Sequence, residues 1–140
     1  EFSPRAQSSI LSNRANVHLM MENWEFAVSD AERSARLDPE NYIAIILRSA
    51  AIGNLGYPEE AERRIKEVLP RIRSHYHLAC AFAVIRDKTN MLKQLSTAIN
   101  LDSGLIVEAK FDPDFDKFRE DPDFIKLISR KRKGPVVTRE

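Results

Sequence analysis

The same punctuation returns along this chain at about the length of one helical hairpin, and that recurrence limits the possible folds more than any single motif. A first copy covers residues 8–41, with small residues at Ala15 and Ala27 and a terminator at Leu37-Asp38-Pro39. Ala61 follows Ala27 by 34 positions, inside Leu55-Gly56-Tyr57-Pro58-Glu59-Glu60-Ala61, where a turn and a helix start recur. A more degenerate third copy carries Ala79, Phe82 and Ala98 and closes on Leu101-Asp102-Ser103. Such a period points to stacked two-helix units, because one hairpin cannot hide its apolar stripe without a neighbour. The expected fold class is all-α.

Leu11, Ala15, Val17 and Leu19 place a first helix over 8–21, with Ser8 or Ser9 as its N-cap. Asn23 interrupts it. A second helix over 24–36 sets Ala27, Val28, Ala31 and Ala35 on one side and stops at Asp38-Pro39, since the residue before proline resists the helical conformation. A third and unusually apolar helix covers 42–54, after which Gly56 and Pro58 mark one helix end and the next helix start. Further helices are expected over 59–69, 74–85 and 89–100, giving repeats 8–41, 42–71 and 72–103. Pro70 comes early, so the second unit is short. Residues 1–7 read as a linker remnant. The segments Phe111-Asp112-Pro113-Asp114-Phe115 and Asp121-Pro122-Asp123-Phe124 predict capping helices over 104–129 that cover the open end of the stack. The tail 130–140, opening on Arg130-Lys131-Arg132-Lys133, should fray.

Twenty-two basic against 21 acidic residues leave the bulk charge near neutral, so it calls for neither nucleic acid nor an anionic membrane. The lone Cys80 cannot form an internal disulfide and is expected to pack as a small hydrophobe in a reducing, intracellular setting. No apolar run reaches the roughly 18 residues of a spanning helix, and no signal-like leader opens the chain. A soluble protein is expected, its compartment left open because targeting segments can lie outside this sequence.

Leu11, Ala15, Ala27, Leu37 and Pro39, with Trp24 at the aromatic turn position, resemble a tetratricopeptide repeat over residues 8–103. The resemblance implies a right-handed α-solenoid of three helical hairpins, closed by the capping segments, whose concave wall comes from the leading helix of each pair. Carried over to this chain, the family's groove positions are Ser9, Ser12, Asn13, Asn16, Leu19 and Met20 in the first repeat. The second contributes Ile43, Ile46, Leu47, Ala50 and Asn54, and the third Arg73, Tyr76, His77, Cys80 and Val84. The implied activity is non-catalytic: an adaptor that holds a peptide or helix of another protein.

One subfamily, in heat-shock co-chaperones, grips a C-terminal carboxylate, and Leu11-Ser12-Asn13-Arg14-Ala15 resembles its asparagine segment. Ile43 and Leu47 stand where that clamp needs cations, and aliphatic side chains cannot supply charge-assisted hydrogen bonds. Clamp binding is therefore the lesser alternative. An exposed wall of Leu19, Met20, Ile43, Ile46 and Leu47, rimmed by asparagines, would instead suit an apolar segment. The competing arrangement packs Ile43, Ile46 and Leu47 against the chain's own C-terminal segment.

No catalytic or cofactor motif stands out. Asp112, Asp114, Asp116 and Asp123 fall at calcium-loop spacings, but Lys117 replaces the turn glycine, and helix capping is the better use of Asp-Pro pairs. His75, His77 and Cys80 make a poor zinc set, and Cys80 with His77 lacks an orienting acid. His75 and His18 read as helix-packing residues. No metal, cofactor or small-molecule substrate is expected. A rival to the adaptor reading makes the array an oligomerisation or docking module with Phe115, Phe118 and Phe124 as an intermolecular seam.

Overall fold

A computed structural model describes residues 1–130, and every regular element among them is helical. The helices are α1 (Pro4–Met20), α2 (Trp24–Leu37), α3 (Tyr42–Asn54), α4 (Pro58–Val68), α5 (His75–Val84), α6 (Lys88–Leu101), α7 (Leu105–Phe111) and α8 (Pro122–Ile128). Short 3-10 segments at Leu69–Arg71 and Pro113–Phe118 join them. Consecutive helices pack as neighbours, and α3 lies between the first hairpin and α5.

The three hairpin turns share one backbone solution. Glu22, Gly56 and Arg86 each take a positive φ, of 60°, 102° and 60°. The residue after each donates its amide five positions back: Asn23 to the His18 carbonyl, Tyr57 to Ile52 and Asp87 to Phe82, at 2.8, 3.0 and 2.9 Å. That left-handed residue closes the leading helix by satisfying carbonyls that would otherwise be orphaned. Glycine takes the conformation without a steric penalty, while Glu22 and Arg86 carry a Cβ there. The second helices of the first and third hairpins also end alike. Asp38 and Asp102 are extended, and each carboxylate accepts the amide two residues on, at 3.0 and 2.9 Å.

Small side chains let the paired helices approach. Ala15, Ala27 and Ala31 are fully buried in the first hairpin. Ser8 and Ser34 meet there, each hydroxyl donating to the other's carbonyl at 2.8 and 2.7 Å. Ser8 is thus a packing residue rather than the expected N-cap. Ser3 caps α1 instead, accepting the Ala6 amide at 3.1 Å, and Pro4 fits the first turn where no amide partner is needed. Residues 4–7, read as a linker remnant, are helical for that reason. Arg14 forks onto buried Asp30 at 2.6 and 2.7 Å, and its hydrogen bonds hold the Asp30 carboxyl below the usual range. Arg48 on α3 reaches Glu32 at 3.0 Å and Glu60 at 3.3 Å, tying both hairpins together.

The capping segment closes the far end, but by a tighter route than two stacked helices. Helix α7 follows Asp102 as α3 follows Asp38, and then Asp112-Pro113 turns the chain back onto α5. Phe115 and Phe124 are fully buried and Phe118 nearly so, with Phe115 set 5.9 Å from Tyr76 and 5.5 Å from Phe124. These rings fill the chain's own core, which overturns the expected intermolecular seam. Asp112 and Asp121 cap the next segments through the Asp114 and Asp123 amides, and Lys88 binds Asp121 and Asp123 at 2.9 and 2.8 Å. Beyond Arg130, the basic tail lies outside the described residues.

If the left-handed turns set hairpin geometry, Gly56→Ala should cost about 1 kcal/mol, while Glu22→Gly and Arg86→Gly should each gain up to about 1 kcal/mol. Urea unfolding midpoints check this, since nothing but solvent lies within 4 Å of a Cβ built at Gly56. An unchanged midpoint for Gly56→Ala would contradict the turn assignment.

Candidate functional site

The leading helices α1, α3 and α5 face a common trough, and the Pro113–Phe118 segment sits in it. A cleft of about 260 Å³ runs along one side, lined by Ser12, Asn13 and Asn16 of α1, Ile43, Ile46 and Leu47 of α3, and Tyr76, His77 and Cys80 of α5. Nine of the sixteen residues carried over by resemblance thus share one surface, and Asn13 and Leu47 border the same space. Ala50, Asn54 and Val84 line a second cleft, also about 260 Å³, together with Trp24, Ser49 and Lys117. Asp114 borders both clefts, so the capping segment divides the trough in two. Ser9 lines a shallower depression beside Arg5 and Asn41.

The wall is less exposed than the sequence suggested. Leu19, Ile46 and Leu47 are 1%, 2% and 4% exposed. Ile46 joins the core that holds Phe115, while Leu47 packs with Leu19, Ala50 and Ala51. The aliphatic residues at these positions are spent on inter-helix packing, and Ile43 and Asn13 are the exposed residues that the first two leading helices bring to this cleft. Leu19, Met20 and Arg73 line neither cleft; Met20 and Arg73 face solvent. His75 is exposed and bonds Gln94 at 2.7 Å, so it is not a packing residue. His18 stacks on Phe26, with centroids 5.4 Å apart.

The other wall of the first cleft is acidic. Glu108, Asp112 and Asp114 border it, and no lysine or arginine does among the described residues. The Tyr76 hydroxyl donates to Asp112 Oδ2 at 2.8 Å, and the Cys80 thiol lies 3.7 Å from the same oxygen. His77 Nδ1 and the Tyr42 hydroxyl are hydrogen-bonded at 3.2 Å. Asp114 is 7% exposed, and its Oδ1 has no hydrogen-bond partner among the described residues. Burial, with Asp112 close by, pushes the Asp114 carboxyl well above the usual carboxylate range. Burial likewise raises the Tyr76 and Cys80 protons, and it lowers His77 although Asp112 opposes that.

A nucleophilic cysteine needs its thiolate stabilised, whereas Cys80 sits among carboxylates in a buried position that does the reverse. Cys80, Asp112 and Asp114 place one ligand atom each within 4.8 Å of one another, a three-donor set short of the usual four for a closed zinc site. Asp116 and Asp123 instead pair with Arg119 and Lys88, so the spacing of a calcium loop does not become a converging cage.

The acidic wall escaped the sequence reading because Glu108, Asp112 and Asp114 lie outside the repeats. The available signal was Tyr76 and Cys80, one turn apart on a largely apolar helix, whose polar atoms require an acceptor when buried. No family model matches the chain, and comparison with curated proteins and with solved structures returned no match.

Because the folded Asp114 carboxyl titrates above its unfolded value of about 3.9, folding takes up a proton and this residue lowers stability as pH rises through that window. Asp114→Asn should therefore melt above the parent protein at about pH 8, with the gap closing below about pH 4. Melting curves at both pH values check it; a gap independent of pH would show that the carboxyl is not buried.

Proposed function

We propose that this chain is a tetratricopeptide-like adaptor, a three-hairpin solenoid that holds a segment of another protein against its concave face. The observation that carries the reading is the convergence of α1, α3 and α5 on one cleft, with Asn13, Asn16 and Ile43 presented at its opening. Stacked helices hold those groups in place before any partner arrives, so little ordering entropy is spent on contact. The asparagine amides can bond a partner's backbone, and Ile43 offers an apolar foothold. The raised thiol of Cys80 argues against covalent chemistry, and no described helix is long and apolar enough to cross a membrane.

The carboxylate-clamp alternative is weaker. A C-terminal carboxylate entering beside Asn13 would meet Glu108 and Asp112, and like charges in a confined site repel. A docking-module role keeps one specific support: Ile10, Val17 and Met21 are 50%, 51% and 63% exposed at spacings that align them along α1. Light scattering over a concentration series separates a self-associating module from a monomeric adaptor.

Leu47 is too buried to serve as a clean probe of the groove, so the test falls on Ile43. Ile43→Ser should weaken a captured partner roughly tenfold or more while leaving the helical circular dichroism intact. Unchanged affinity in a titration would remove the cleft from the binding surface.

A further inference from the structure

We propose that the first cleft receives a cationic side chain of the partner, best fitted by an arginine guanidinium, an inference that rests on the groove reading above. Three carboxylates border the cleft, and no lysine or arginine among the described residues does. One of them, Asp114, is more than nine-tenths buried, yet its Oδ1 accepts no hydrogen bond from the described residues. A buried acceptor left unmatched costs the fold, and a donor delivered by a ligand removes that cost. The opposite lip supplies what the rest of such a side chain needs. Ile43, 36% exposed, can cover an aliphatic stem, and the Asn13 and Asn16 amides can meet the flanking backbone.

Geometry favours a guanidinium over an ammonium. Asp112 Oδ2 is already engaged by Tyr76 and Cys80, so a ligand must draw on acceptors spread over Asp112, Asp114 and Glu108. A planar fork of five donors can span several carboxylate oxygens at once, whereas an ammonium acts as a compact point charge. A divalent metal is the rival occupant of Cys80, Asp112 and Asp114. It is disfavoured because the thiol and the tyrosine hydroxyl already donate to Asp112, and no fourth protein donor joins the cluster. The cation also gives the strained acid a purpose, since a ligand-free site that lowers stability is a common cost of binding.

The test uses the full chain and a phage-displayed library of random capped peptides, panned against the parent protein, Asp114→Asn and the exposed-site variant Glu108→Gln. Synthetic versions of the selected peptides are then titrated by fluorescence anisotropy, with melting curves confirming that each variant is folded. The expected result is one position fixed as arginine, with lysine weaker. Its replacement by uncharged citrulline, or the use of either variant, should cost roughly tenfold in affinity. Peptides weakened by Ile43→Ser but lacking any fixed cation would overturn this inference and leave the groove reading standing. Peptides insensitive to Ile43→Ser, or no selected peptides at all, would overturn both. Stoichiometric zinc binding lost in Cys80→Ser would assign the cluster to a metal and sink the guanidinium proposal.

Discussion

The fold depends on closing the end of a stack. A helical hairpin exposes an apolar stripe that the next hairpin must cover, and the last one has no successor. Here α7 follows the third hairpin, and the chain then reverses at Asp112-Pro113. The Asp112 carboxylate accepts from Tyr76 and caps the following turn, so one residue both anchors the reversal and starts the segment that carries Phe115 inward. Phe115, Tyr76 and Phe124 then make a continuous aromatic contact across α5 and the cap. Everything about the trough, including its width and charge, follows from where that reversal places the Pro113–Phe118 segment.

How much of this was legible in the sequence varies with the physics. Helix α3 matched its expected span to the residue, because Asn41 and Gly56 punctuate an uninterrupted apolar run. Helix α1 did not, since Ser3 and Ser8 are equally good caps by chemistry and only tertiary packing shows that Ser8 is needed against Ser34. The turns at Glu22 and Arg86 were invisible as left-handed positions, for neither residue type advertises a positive φ. The site shows the same divide. The resemblance put α1, α3 and α5 on a shared face, but it could not say that Leu47 would be sealed by Leu19 and Ala50. Nor could it report that acids more than thirty positions beyond Tyr76 would form the facing wall.

Asp114 is the point where stability and the proposed binding pull apart. Its carboxyl is buried beside Asp112, its proton is held more tightly than usual, and its Oδ1 finds no donor among the described residues. Natural cores satisfy nearly all such groups, so an exception at the meeting of two clefts draws notice as a candidate contact rather than as packing. Cys80 gives the contrasting case, a buried sulfur whose thiol has an acceptor in Asp112.

The trough's two sides come from opposite ends of the chain. Asn13 belongs to the first helix and Asp114 to the reversal near the end of the described residues, yet both border a single cleft. A molecule clipped after α6 would lose one bank of the channel, with all three acids that border it, and would uncover the core that Phe115 and Phe124 fill. Proteolysis in that stretch would therefore remove an aromatic plug together with the acids, so the cleft and the core beneath it share one fate.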